Sequence, residues 1–492
     1  MKQIFLLTAF AFVFSMASAQ TENAEEDAVN QYGVKVDKFK LNSEAQNNII
    51  VFENKEKGYK FWMDNRIQMD GAYYFQDKNN LMGSGRDELA NGVSMRRVRM
   101  AVKAKVSDNW YGEIDLNFAN GVFELEDAII RYDGIPNSEL KFGNFKEDFS
   151  MDQTTTSRYT TFMERPMVVS AFAPSRHIGA SYGWGIDWIR ASAGISWQIV
   201  DNADMRHNVE EYSKYGKPMG ANYTGKVVYM PWAAKGEHGL HFGYNASYRS
   251  PFKVDDNLSG GESSGRGYGS DEFSARNSTA ISRIKFLNTS NTGNGGSGTI
   301  GGGSEGSGGT TGYLKYTILQ GYELAGYWQG ARFQSEFITA NCYIDQNAPA
   351  PINVSTKKFF GWYGQVSYLL FGGKQRYDVS QSEFTQPSRG RKWGDVEAMF
   401  RYDYLNLNSE DIKGGSGQNY AFGVVYHVNN NVKLMVNYQL SANDRYANNK
   451  AKAAVGLDAD GKPTIDGRAV VAADGKGGMK FQTLQARIEI DF

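Results

Sequence analysis

Five cationic side chains carry the clearest chemical suggestion in this sequence: Arg97, Arg99, Lys103, Arg158 and Arg165. The first three belong to an alternation. Arg97, Arg99, Lys103 and Lys105 take odd positions, and Val98, Met100, Val102, Ala104 and Val106 take even ones. Successive side chains of an extended strand point to opposite faces, so the bases form one stripe. The other two lie in residues 146–176, with Lys146 and Arg176, among Glu147, Asp148, Asp152 and Glu164. A guanidinium fork matches the oxygens of phosphate-like anions in geometry as well as charge. A row of such groups suits transit, which needs several weak sites rather than one tight one. The competing reading is that the bases pair with nearby acids and only hold a wall in shape.

Other chemistry finds less support. His177, His207, His238, His241 and His427 fall in no Ser/His/acid or metal-ligand pattern. Cys342 is the only cysteine, which excludes an intramolecular disulfide and an all-cysteine metal cage. Asp458 and Asp460 before Gly461 hint at a calcium loop but lack its remaining ligands. The glycines of 289–312 lack the strand-to-helix setting of a phosphate-cradling loop and read as a flexible segment. No catalytic residue, metal or cofactor is therefore expected.

The elements that must position the bases are strands. Leu240, Phe242, Tyr244, Ala246 and Tyr248 alternate with His241, Gly243, Asn245, Ser247 and Arg249. Leu484, Ala486, Ile488, Ile490 and Phe492 alternate with Thr483, Gln485, Arg487, Glu489 and Asp491. One apolar and one polar face per strand is the pattern of a sheet that meets lipid outside and water inside. Such segments begin near residues 60, 93, 110, 124, 138, 177, 187, 221, 238, 319, 332, 358, 393, 418, 432 and 480. An even count of about sixteen suits an all-β transmembrane antiparallel barrel. Long connections at 146–176, 199–220, 250–318 and 441–479 fall on one side. Short ones fall on the other, except 372–392, which is too long for that rule. Pairing across Asp108 sets Lys103 opposite Glu113, Ala101 opposite Asp115 and Arg99 opposite Asn117, leaving Arg97 and Arg99 without acids. Arg96 has the lipid-facing parity, where a charge at mid-bilayer would cost roughly 2–4 kcal/mol, so a rim position or a bulge is expected there.

The chain start fixes the compartment. Lys2, the apolar run Ile4 to Met16 and Ala17-Ser18-Ala19 form a signal peptide expected to be cut after Ala19. Residues 20–58 follow as a periplasmic lead-in or plug, and 59–492 as the barrel. Losing Lys2 leaves 52 of the 53 basic residues against 54 acidic ones, a balance of −2. No global field draws in nucleic acid or one sign of solute, so any selectivity is local.

Particular stretches then resemble a known family. RRVRMAVKAKV from Arg96, ELEDAIIRY from Glu124, KFGNFKEDFS from Lys141, SRYTTFMERP from Ser157 and AFAPSRHIG from Ala171 follow closely on one another. NYAFGVVYHVNNNVKLMVNYQL from Asn419 extends the likeness. Together they resemble the phosphate-selective porin O and P family of Gram-negative outer membranes, over about residues 93–492. The resemblance implies a sixteen-stranded homotrimer whose third outer loop folds inward, with arginines and lysines at a constriction that favours phosphate or other anions. Arg158, in the SRY stretch, is then expected at that constriction. The implied partners are the bilayer and its outer-membrane lipids, small solutes, and the barrel-assembly machinery acting on the strand that ends at Phe492. A general non-selective porin and a docking barrel are the alternatives.

Overall fold

The structure, a computed structural model, describes residues 28–36, 38–76, 89–197, 220–250, 272–291, 300, 313–345, 355–471 and 477–492. The proposed signal peptide, His207 and most of the 289–312 segment lie outside the described residues. The described residues up to Asn42 form a unit of their own, in which Ala28–Val29 pairs with Lys35–Val36.

From Ser43 onward the chain is one closed antiparallel barrel. Its long strands are β1 (Tyr59–Gln76), β2 (Gly92–Lys105), β3 (Trp110–Asn117), β4 (Glu124–Tyr132), β5 (Ser138–Lys146), β6 (Arg176–Ile186), β7 (Ile189–Ser196) and β8 (Asn222–Tyr229). They continue with β9 (His238–Arg249), β10 (Tyr313–Trp328), β11 (Ala331–Asp345), β12 (Lys357–Leu369), β13 (Asp395–Ser409), β14 (Ile412–His427), β15 (Val432–Asn443) and β16 (Lys480–Asp491). β16 returns to β1 in register from Phe481↔Gln76 to Asp491↔Arg66, which closes the sheet. A hairpin of Asn42–Gln46 and Ile49–Asn54 joins it at this seam.

The barrel is built inside out relative to a water-soluble fold. On β16, Thr483 and Arg487 are 0% and 3% exposed, whereas Leu484 and Ile488 are 41% and 51% exposed. Polar side chains line much of the inner wall, an apolar cluster that includes Met167, Phe359 and Leu405 packs within it, and apolar side chains form the outer surface. That surface is stable only against hydrocarbon, because in water it would be a continuous apolar patch. No described helix is long and apolar enough to cross a membrane.

Strand starts agree with the sequence reading except at β10 and β14, which begin six residues earlier than expected. A bulge between Leu314 and Tyr316 breaks the alternation in β10. In β14, Lys413-Gly414-Gly415-Ser416-Gly417 reads as loop, yet it extends the ladder with β13 beyond a tight turn at Glu410-Asp411. A second bulge lies between β1 and β2. Gln68 faces Arg97 and Met69 faces Met95, so Arg96 is the extra residue and turns inward. β3 and β4 repeat the device: Asp115 faces Asp127 and Leu116 faces Leu125, leaving Glu126 as the extra residue.

Several described connections run into the interior, among them residues 272–291, whose Ala280 amide donates to the Gln485 side chain of β16 at 2.9 Å. Residues 147–175 carry two short helices, α1 (Met151–Thr154) and α2 (Met167–Phe172), whose Met151, Met167 and Val168 are fully buried. The overlong turn between β12 and β13 is a hairpin of Lys374–Asp378 and Glu383–Ser388. Its Tyr377 hydroxyl lies 2.7 Å from His241 Nδ1 on β9, and its Gln375 amide donates to Glu397 on β13 at 2.9 Å. Phe384 packs with Tyr327 of β10 and with Met151 of the 147–175 segment.

Candidate functional site

Site geometry begins on β1 and β2. The register of β2 with β3 places Arg99 opposite Asn117 and Lys103 opposite Glu113, as the sequence pairing predicts. Lys103 Nζ donates to Asp64 at 3.1 Å and lies 3.3 Å from Glu113. Arg99 is not free of acids as expected; it bonds Glu126 and lies 3.7 Å from Asp115. The bulge on β4 supplies that partner by turning Glu126 into the lumen, a turn that simple alternation cannot foresee. Arg97 fits the expectation. It is buried, donates to the Gln68 amide oxygen at 2.7 Å, forms no ion pair among the described residues and leaves Nε unpartnered.

The 147–175 segment adds the remaining groups. Arg158 donates to Asp64 Oδ2 of β1 at 2.7 Å and to Asp491 Oδ1 of β16 at 2.8 Å. Burial works against its charge, but the bonds and charges of those two carboxylates outweigh it and raise the guanidinium pKa. Arg165 donates to the carbonyl oxygens of Asp152 and Thr155 at 3.0 and 2.9 Å, and Lys146 Nζ to that of Gln153 at 2.9 Å. Both cations thus sit on the carbonyl end of α1, where a helix end favours positive charge. Across the lumen the Asp152 amide donates to Glu336 of β11 at 2.8 Å. Glu164 receives Arg96 at 2.7 Å and lies 3.4 Å from Arg487. Burial opposes ionisation of Glu164, but Arg96 and Arg487 hold its carboxyl well below the usual range.

Between this segment and the wall lies a cavity of about 250 Å³. Its lining includes Arg99, Lys103 and Arg158, so three of the five expected bases meet there; Arg97 and Arg165 lie outside it. Six further cations line it: Arg66, Lys141, Lys146, Arg176, Arg190 and Lys226. Their acidic counterparts are Asp64, Glu113, Asp115, Asp127, Asp148 and Glu383. Cations exceed acids by three. Sequence reasoning passed over Arg66, Lys141, Arg190 and Lys226, although each has the lumen-facing parity of its strand. The remaining wall is self-neutralising: Arg332 lies 3.5 Å from Glu397, Arg401 3.3 Å from Asp403 and Arg487 2.6 Å from Asp70. Asp458 uses its side chain as a turn acceptor for the amides of Asp460 and Lys462.

A barrel with polar side chains inside, crossed by a charged segment, matches known proteins. The family described as phosphate-selective porin O and P matches residues 66–461. The chain belongs to that family. It is an outer-membrane porin, a channel protein. Porin O of Pseudomonas aeruginosa is 24% identical over 420 residues, 80% of this chain and 85% of that protein. An uncharacterized protein of Caulobacter vibrioides is 25% identical over 385 residues, 76% of this chain and 67% of its own length. Among solved structures, an anion-selective porin from Comamonas acidovorans aligns with a TM-score of 0.48 at 11% identity, over 88% of this chain and 100% of that one. The trimer form of OmpT of Vibrio cholerae aligns at 0.44 and 11%, over 88% and 99%. Three histidines of this porin link neighbouring side chains: His241 to Glu323 at 2.8 Å, His427 to Glu397 at 3.0 Å and His177 to Glu147 of the 147–175 segment at 2.8 Å.

Proposed function

We propose that this porin is a passive diffusion channel for small hydrophilic solutes that favours phosphate or other anions. One observation carries the reading: the cavity beside the 147–175 segment has nine cationic side chains against six acidic ones. In a narrow, low-dielectric passage such a local excess raises anion occupancy even though the chain as a whole is nearly neutral. The 147–175 segment narrows the passage, with Arg158, Arg99 and Lys103 facing the solute and Arg97 and Arg165 acting as nearby positive charge. Paired bases still contribute, because a solute oxygen can compete for donors that the carboxylates leave unused.

Planar-bilayer recording on the purified protein tests this. A KCl gradient gives a reversal potential on the anion side, and inorganic phosphate reduces chloride current. Arg158→Ala, which releases Asp64 and Asp491, moves reversal toward cations, further still with Arg97→Ala. Unchanged reversal in that double variant removes the assigned role. The self-neutralised ladders on β11 to β16 favour a second reading, a general porin, for which reversal sits near zero.

The same proposal covers export and assembly. The signal is cut after Ala19, residues 20–58 form a periplasmic lead-in or plug, and three copies assemble after the barrel machinery receives the strand ending at Phe492. N-terminal sequencing of the outer-membrane form and a gel of unheated protein check the cut and the trimer.

A further inference from the structure

The hairpin of Lys374–Asp378 and Glu383–Ser388 brings one acid into the cationic cavity. Gln381, Ser382 and Glu383, at its tip, all line that space. The hairpin is not free to withdraw its tip, since Tyr377 is fixed to His241 and stacks 5.9 Å from Tyr327. Glu383 forms no ion pair among the described residues, although cations predominate around it. The groups that face it are Lys146 on β5, Asp148 on the 147–175 segment, Lys226 on β8 and Asp378 on its own hairpin. Lys226 is already engaged 3.0 Å from Glu323, and Lys146 by carbonyl oxygens, so neither is committed to Glu383.

From this geometry we infer that Glu383 is a specificity-determining residue, a carboxyl that sets how strongly the channel prefers anions. Ionised, it is one of the six acids that leave a cation excess of three; protonated, it raises that excess to four. Burial pushes its carboxyl up to about 7; Lys146 and Lys226 oppose the rise, and Asp378 and Asp148 add to it. The sign follows: below that value Glu383 is neutral and anion preference is high, and preference falls as pH rises through neutrality. One charge acting across roughly 8 Å of wet lumen changes ion occupancy about twofold.

This inference rests on the proposed anion preference, and one experiment separates the two. Chloride-to-potassium permeability ratios are measured in planar bilayers from pH 5.5 to 8.5 for the full porin and for Glu383→Gln. The ratio of the unaltered porin falls about twofold across that range, whereas Glu383→Gln keeps the high, low-pH value throughout. Glu383→Asp retains the fall, and Glu383→Ala reports the same loss if the glutamine variant does not assemble. A full pH dependence in Glu383→Gln or Glu383→Ala overturns the role of Glu383 and leaves the anion reading in place. A ratio near one at every pH overturns the anion reading itself.

Discussion

Arg97 and Arg99 lie two positions apart on one face of β2, yet their surroundings make opposite demands. Arg99 sits between Glu126 and Asp115; Glu126 keeps Arg176 at 2.5 Å, so truncating Arg99 strands Asp115. Removing one partner of a buried pair costs about 3–5 kcal/mol, because the charge left behind is uncompensated. Arg97 is buried against an amide, with no acid to release. Replacing it with an apolar chain of similar length removes a desolvated charge and costs little. Arg99→Met should therefore lower the temperature at which the folded band is lost on gels, and Arg97→Met should leave it unchanged or raise it. Equal losses would mean that Arg97 has a partner the geometry does not reveal. The alternation made both arginines legible as lumen residues. It could not assign their partners, because Glu126 reaches Arg99 from a strand not adjacent to β2 and only through a bulge.

Elements were the most legible level, since a period of two survives wherever one face meets lipid and the other water. What disturbed it were single inserted residues, and Arg96 shows how such an insertion works. Met95 and Arg97 stand on opposite faces of β2 with Arg96 between them as a bulge, so the ladder on either side keeps its parity. Deleting Arg96 should leave a regular strand, with Val93 and Met95 outward and Arg97 inward. Deleting Met100 instead slips the register and turns one half of the strand to the wrong face. The first deletion should give a folded barrel whose gel migration still shifts on heating, and the second should not. Failure of both alike would show that the Arg96–Glu164 link, not the parity, sustains this wall. The overlong 372–392 connection is the complementary case: its length marked an exception, but its contacts to His241, Glu397, Tyr327 and Met151 are what show that it turns inward.

At the scale of the whole molecule the barrel depends on one seam, where β16 meets β1. Arg487 bonds Asp70 at 2.6 and 2.7 Å, Arg66 lies 3.1 Å from Asp491, and Arg158 joins Asp491 to Asp64 from the crossing segment. Arg487 also donates to the Met163 carbonyl at 2.9 Å, so one side chain both closes the sheet and holds the segment that divides the lumen. Sequence alone placed Arg487 and Asp491 on the lumen face but not this double duty, since partners more than 300 residues apart leave no local pattern. Arg487→Met should destabilise the barrel by about 3–5 kcal/mol, by stranding Asp70 in the interior. It should also raise single-channel conductance as residues 163–164 lose an anchor. Adding Asp70→Leu removes the stranded charge and should restore most of the stability without restoring the anchor. The urea midpoint in lipid vesicles would then recover while conductance stays high. If the two recover together, closure and partition are a single property of the seam.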